Sequence, residues 1–562
     1  MKILIKNCKL ISMEPDREKL ENDIDILVEN DAIKKIEKNI QEDAEKIIDA
    51  RGKIIMPGFI NTHSHIPMSI FKENIDGYSL QEWLTQKIWP QEEKLTDEDI
   101  YNASKMSFKE MIYTGTTTIV DMYFMQENII RAAKEMGIRI ELTRTLMDSD
   151  GTGEKKLEEI EELINKYSNK EDTITINVGA HALYTCSEEY VQKAIKLAQK
   201  YGLNFQMHFC ENSKEVQDIK RDFNVENPAE VLEKYLGNTN SILAHCVKLT
   251  DKDIEIMKKL NISVAHCPVS NLKLGCGVAR INDMQKAGIN ITLGTDGQGS
   301  GSSLDMFETM KFTALLQKGI NEEPKQMPAY DILKMATING AKALRQENRI
   351  GSIKEGKKAD IIILNLENNP ITTPINDVFA DIVYNKGFSY SAILLDGHGG
   401  SGKKFANSSM KKWINSVEKE ILKYKDKYEN IILVGHSMGG LLSILLSLKY
   451  KNKVKSLILI STPLKVHVRF DMMISSIKIA LGKIKDEDTL TKYAYNALSV
   501  DRSSLVTYAR WRPRYKDLFE LIIMVKRELK NIAIPTLIIH TKKDELVSNK
   551  SLNLFYKNVI AC

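Results

Sequence analysis

The chain has 562 residues, 43% hydrophobic and 27% charged, an ordinary globular balance that excludes a disordered or fibrous chain and implies two to four domains. Net charge is +4, yet residues 388–562 hold 30 Lys+Arg against 15 Asp+Glu, so the two parts of the chain differ in character. The lysines are scattered, with no basic stripe interleaved with aromatics, which argues against a nucleic-acid partner.

The first residues, MKILIKNCKLIS, alternate lysine with apolar residues and lack the apolar core of a signal peptide. Apolar runs such as GLLSILLSL are too short to span a bilayer, so a soluble cytoplasmic protein without a membrane partner is expected. Seven scattered cysteines without CxxC pairs point to reduced thiols, not to a disulfide framework or a cysteine zinc site.

Residues 1–58 read as short strands and turns. From 59 the text alternates strand and helix: FINTHSH, TTTIVDMYF, IRIELTRTL, TINVGAHALY, NFQMHFCE, SILAHC, ISVAHCP and NITLGTDG are candidate strands separated by amphipathic helices. Eight such units over residues 59–346 predict a (β/α)8 barrel. Short-strand character returns at GSIKEGKKADIIILNL, so residues 1–58 and 347–385 are expected to share one small β domain. From 388 a second α/β pattern begins, with a helical lid over about 464–530.

Barrel active sites gather at the C-terminal ends of the strands. His63 and His65 stand at i and i+2 on the first strand and therefore face one side. His208 closes the fifth strand and Asp296 the eighth. Three imidazoles and a carboxylate suit Zn²⁺ or Fe²⁺, one per chain, with room for a water. His266, on the seventh strand, reads as a structural or pocket-lining residue.

The stretches PGFINTHSH, HFCE, LAHC, SNLKLGCG and LGTDG, with WPQEEKL, LTRTLMD and GAHALYTCSEE, resemble the amidohydrolase superfamily over residues 1–385, in particular its 5-methylthioadenosine/S-adenosylhomocysteine deaminases. The resemblance implies a metal-dependent hydrolase barrel with one metal on His63, His65, His208 and Asp296. It implies Glu211 and His245 as catalytic residues beside Asp296, and Glu92, Arg144, His181 and Glu211 as substrate contacts. Trp83 and Leu274 are expected pocket walls. The implied reaction is hydrolytic deamination of an adenine nucleoside, a small molecule, to the inosine analogue and ammonia; a homo-oligomer is compatible with it. Another aminohydrolase of the superfamily, acting on a guanine, pyrimidine or triazine, is the alternative within the same fold.

Further on, NIILVGHSMGG followed by the helix GLLSILLSLKY has the strand–turn–helix context of a G-x-S-x-G elbow. Residues 388–562 resemble α/β-hydrolases of the carboxylesterase and monoacylglycerol lipase type, with Ser437 at the nucleophile and Asp544 at the acid position. No histidine follows Asp544, although the family order is Ser, acid, His. The pattern also lacks the early strand and His-Gly loop of such folds, and the barrel part lacks its usual final strands. The expectation is an incomplete α/β-hydrolase domain joined at YNKGFS to a truncated small β domain, with a vestigial serine site. A serine carboxylesterase and a non-functional chimeric chain are the remaining readings.

Overall fold

The computed structural model describes residues 1–72, 77–168, 170–366, 374–385, 393, 395–398, 401–425, 431–466, 478–479, 481, 488, 500, 503, 505–540, 547–548 and 550–559. It divides into two compact units, Met1–Ser389 and Tyr390–Cys562.

The first unit opens with β1 (Lys2–Leu10), β2 (Glu21–Glu29), β3 (Ala32–Glu37), β4 (Lys46–Asp49) and β5 (Lys53–Pro57). Next come the barrel strands β6 (Phe59–Ser64), β7 (Thr116–Tyr123), β8 (Arg139–Leu146), β9 (Ile174–Ala180), β10 (Phe205–Phe209), β11 (Ser241–His245), β12 (Ser263–His266) and β13 (Asn290–Leu293). β14 (Ile361–Asn365) then pairs antiparallel with β5, giving a small sheet ordered β14-β5-β1-β2-β3, with β4 also on β1. The two sequence-distant pieces are stitched together further: Ile353 N–H donates to the Ser12 carbonyl and Ile33 N–H to the Lys357 carbonyl, both at 2.8 Å. Under this seam Glu14 is buried against Lys357 at 2.8 Å and Lys354 at 3.0 Å.

The eight barrel strands pair in sequence order, all parallel. Between β13 and β6 the ring is bridged by Asp296 N–H to the His63 carbonyl at 3.0 Å and by the Thr62 hydroxyl to the Leu293 carbonyl at 2.9 Å. Strands β6, β10, β11 and β12 are buried at every residue, as expected of a parallel sheet with helices outside and packed side chains inside. The outer helices start where the sequence provides caps. Thr96 and Asp99 form a reciprocal capping box for Asp97–Tyr113, and Ser187 accepts from the Tyr190 N–H to start Glu188–Tyr201. Val378–Asn385 is a helix packed on the barrel helices Met306–Ile320 and Ala329–Met335.

The second unit contains β15 (Ile431–His436), β16 (Val454–Ile460) and β17 (Thr536–Ile539), a parallel sheet in that order. One face is buried through Leu433, Leu457 and Leu459 under the helices Met438–Lys449 and Arg512–Glu528. On the other face Ile432, Val434, Leu537 and Ile539 are about half exposed, at 48% to 62%. Ser437 follows β15 with φ 51° and ψ −121°, a region that an L-residue enters only under strain, and its N–H donates to the Ile460 carbonyl at 2.9 Å. The turn is tight: a Cβ added to Gly440 would lie 1.9 Å from the Thr462 hydroxyl oxygen. Asp544 and about half of the segment expected to form the lid lie outside the described residues. Inside that range the described helices are Leu505–Ala509 and Arg512–Glu528. No helix among the described residues is long and apolar enough to cross a membrane.

Candidate metal centre

The centre lies at the C-terminal mouth of the barrel. β6 carries His63, and His65 follows its last residue; both rings point inward. β10 carries His208 and β11 ends on His245. β13 ends at Leu293, three residues short of Asp296, whose left-handed φ of 61° turns the carboxylate back over the mouth. His245 and Cys246 at φ 71° and 50° and Cys210 at φ 51° make the same kind of turn after β11 and β10. Strained non-glycine backbone is thus concentrated where the polar side chains converge, as at ligand-holding sites generally.

The hydrogen bonds fix how the imidazoles face. His65 Nδ1 lies 2.6 Å from the Met122 carbonyl and His208 Nδ1 lies 2.7 Å from the His181 carbonyl. A carbonyl only accepts, so both Nδ1 atoms carry a proton and each Nε2 faces the cluster, where a neutral ring presents a lone pair. Those two Nε2 atoms stand 3.1 Å apart. His63 Nε2, buried and without a hydrogen-bond partner, lies 3.6 Å from Asp296 Oδ1. His65 Nε2 is 3.2 Å from the same oxygen. Lone pairs converging on one point, an orphaned buried nitrogen and an adjacent carboxylate fit a divalent cation of nitrogen and oxygen preference. The atoms of His63, His65 and His208, and those of His63, His245 and Asp296, form two overlapping groups within 4.8 Å.

Electrostatics agree with this arrangement. Burial and neighbouring imidazoles push His63 and His208 well below the usual histidine range, which keeps them neutral. Burial alone would raise the Asp296 carboxyl, but His65 and the other imidazoles hold it well below the carboxylate range. In return Asp296 outweighs burial at His65 and pushes that ring up to about 9. The outer oxygen of Asp296 accepts from the Ser270 hydroxyl at 2.6 Å and the Ser300 hydroxyl at 2.7 Å.

Around this cluster opens a cavity of about 750 Å³, including its mouth, lined by every barrel site residue expected from the sequence except His63, which is buried. His245 Nδ1 is 2.8 Å from Asn271 Oδ1, so its other nitrogen faces the cluster. Glu211 is buried beside it, with 3.7 Å between its Oε1 and His245 Nδ1; burial raises its carboxyl although His245 opposes this. Glu92 accepts from the Tyr123 hydroxyl at 2.6 Å and is likewise raised by burial. His181 bonds the Thr185 hydroxyl at 2.8 Å and burial pushes it down to about 3, so it is neutral. Arg144 reaches the wall while its Nε donates to Glu159 at 2.8 Å, so it is at once an ion-pair member and a lining residue. Trp83 and Leu274 line the cavity; His266, buried with both ring nitrogens unpartnered, does not.

Trp83 and Glu92 share the cavity because of a local irregularity. Nine residues at about 100° each would place them on opposite sides of an α-helix. Between Leu80–Trp83 and Trp89–Glu92 runs a π-helical turn, Leu84–Ile88, which shifts the phase. The sequence reading missed this turn, as well as the supporting residues Ser270, Ser300, Asn271 and Tyr123. Ser270 and Asn271 lie in the SNLKLGCG motif and Ser300 is four residues beyond Asp296, so their proximity in sequence was the only signal.

Comparison with known proteins matches this picture. The amidohydrolase family profile matches residues 54–397, and a profile for serine aminopeptidase, S33, matches residues 375–562. A 5-methylthioadenosine/S-adenosylhomocysteine deaminase of Caldanaerobacter subterraneus subsp. tengcongensis is 40% identical over 404 residues, covering 71% of this chain and 92% of its own. A 5'-deoxyadenosine deaminase of Methanocaldococcus jannaschii is 40% identical over 381 residues, covering 66% and 90%. Among solved structures, a zinc-bound adenosine deaminase from Xanthomonas campestris superposes with a TM-score of 0.65 at 28% identity, covering 68% of this chain and 88% of that one. With eight parallel strands, a histidine–aspartate cluster at their C-terminal mouth and a family match across the whole barrel, this chain belongs to the amidohydrolase family.

Proposed function

We propose that the chain hydrolytically deaminates an adenine nucleoside altered at its 5' position, such as 5'-methylthioadenosine, S-adenosylhomocysteine or 5'-deoxyadenosine. The observation that carries this reading is a buried carboxyl, Glu211, beside converging histidine lone pairs at the floor of one cavity, in a chain whose relatives of that name cover most of their own length. Solved triazine hydrolases at 23% identity share the fold and favour no alternative substrate.

His63, His65, His208 and Asp296 would hold one divalent metal, taken as Zn²⁺ because zinc is bound in the similar adenosine deaminase. Such a metal lowers the pKa of a water and so supplies the nucleophile. Glu211, whose buried carboxyl tends to keep its proton, donates it to ring N1 as water adds at C6. Asp296, held in its charged form, accepts a proton from the attacking water, and His245, oriented by Asn271, hydrogen-bonds that water. Asp296 passes the proton it took to the amino group, the C6–N bond breaks, ammonia leaves, and the C6 hydroxyl returns its proton to Glu211 as the carbonyl forms. Glu92 presents its free oxygen to the ribose hydroxyls; Arg144, neutral His181 and the Trp83 wall complete the binding site.

The same reading assigns residues 1–58 plus 347–385 to the small β domain, 59–346 to the barrel and 388–562 to a partial hydrolase domain without activity of its own. It places the reaction in the cytoplasm, a compartment compatible with six buried free cysteines. Its direct test is the conversion of adenine to hypoxanthine absorbance by the purified, zinc-loaded chain given methylthioadenosine.

A further inference from the structure

We propose that Cys276 is a positioning residue that holds the carboxyl of Glu211 in its working orientation; this rests on the deaminase reading above. The local backbone is built to present this thiol. The helix Pro268–Lys273 is capped by Leu274 and leaves through Gly275 at φ 68°, where a side chain would be strained. Gly275 N–H donates to the Leu272 carbonyl at 3.1 Å and Cys276 N–H to the Asn271 carbonyl at 2.8 Å. That pair of bonds is the Schellman closure, which fixes the residue after the left-handed glycine.

Cys276 is therefore held from behind, 2% exposed, with Sγ at 3.7 Å from Glu211 Oε1, within reach of a sulfur donor. Burial and the carboxylate push the thiol well above its ordinary range, so it stays an S–H donor. His245 Nδ1 is equally distant from Glu211 but directs its proton to Asn271 Oδ1 at 2.8 Å. One residue, Asn271, thus organises both neighbours of the proposed acid: its carbonyl anchors Cys276 and its side chain turns His245 away from Glu211.

The chemistry of sulfur suits the task. A cationic donor such as an ammonium would favour the charged carboxylate strongly and weaken its hold on a proton. A thiol is a weak donor, so it can fix the rotamer while leaving the carboxyl able to hold and release a proton. In the transfer, the Glu211 O–H bond breaks and the ring N1–H bond forms; Cys276 keeps its own proton throughout.

The test uses the full chain and two readouts. The first needs no turnover: the infrared S–H stretch of Cys276, isolated as the difference between wild type and Cys276→Ala. We expect a band lowered by hydrogen bonding that moves to the frequency of an unbonded buried thiol in Glu211→Ala. The second is kinetic. With zinc content and melting temperature matched, Cys276→Ala should lose about tenfold in kcat with KM within twofold, the size of one lost hydrogen bond to an ionisable group, and Cys276→Ser should recover most of that loss. A band indifferent to Glu211→Ala overturns the proposal, as does a kcat unchanged in Cys276→Ala or an equal loss in the alanine and serine variants. If wild type shows no deamination, the deaminase reading falls alone and the infrared readout decides the contact. If Cys276→Ala fails to fold, Cys276→Ser supplies the reference spectrum.

Discussion

His65 Nε2 and His208 Nε2 face each other at 3.1 Å, each on a ring whose Nδ1 is already committed to a backbone carbonyl. Two neutral rings would set lone pair against lone pair here; without a metal, the extra proton that Asp296 favours on His65 relieves the contact, and a divalent cation would take that proton's place. Metal removal is therefore expected to destabilise the barrel as well as silence it. Dialysis against a chelator should lower the melting temperature, and stoichiometric Zn²⁺ should restore it; ligand at a thousand times its Kd stabilises by about 4 kcal/mol. His208→Ala should remove both the bound metal and this response, read by metal analysis and calorimetry.

The Asp296 carboxylate is oriented by two hydroxyls that do not line the cavity, Ser270 at 2.6 Å and Ser300 at 2.7 Å. Outer partners of this kind typically contribute 10- to 100-fold in metal affinity, a range of about 1.4–3 kcal/mol. The double variant Ser270→Ala/Ser300→Ala should weaken zinc binding by about that factor in a chelator competition titration. Activity should return at saturating zinc.

Glu14 ties the first strands to the segment after the barrel. Burial alone would raise its carboxyl, but Lys357, Ser352 and Lys354 together bring it down from 4.5 to about 2. A depressed folded value means the contribution is present in full above about pH 4.5 and is lost as pH falls toward 2. It amounts to roughly 3 kcal/mol at neutral pH, taking about 1.4 kcal/mol per pKa unit. Glu14→Gln should lower stability at pH 7 by about this much, and the gap to wild type should close on acidification, as measured by denaturant titration.

In the second unit Val434 pairs in register with Ile458, and Ile458 with Leu537, while Ile432, Val434, Leu537 and Ile539 carry about half their surface exposed. Such a patch favours self-association. The variant Val434→Lys/Leu537→Lys should reduce light scattering at a given concentration without changing deamination by the first unit. Unchanged scattering would show that this face does not drive association.

Much of the barrel was legible in the text. Each strand is a short apolar run, buried on both sides, that ends in or near a polar residue, and a period-two pair such as His63 and His65 can face only one way. The supporting contacts were not legible. Ser270 meets Asp296 across 26 residues and Cys276 meets Glu211 across 65, distances that only the closed ring determines. The π turn at Leu84–Ile88 was invisible because the segment reads as ordinary helix. Arg144 read equally well as an ion pair or a substrate contact, and its position gives it both surroundings. At Ser437 the motif predicts a strand–turn–helix elbow, and the residue stands at φ 51° and ψ −121° between Ile431–His436 and Met438–Lys449. Its expected acid, Asp544, lies outside the described residues, so the geometry of that second site rests on the elbow alone.

The central claim is tested most directly by comparing wild type with Glu211→Gln, both carrying one zinc per chain, on 5'-methylthioadenosine and 5'-deoxyadenosine. Wild type should convert the adenine spectrum to that of hypoxanthine with release of one ammonia per nucleoside. Glu211→Gln should bind zinc equally and lose about 10²–10⁴ in kcat, the scale of a positioned acid. No spectral change by fully zinc-loaded wild type, or equal rates for the two proteins, would contradict the account.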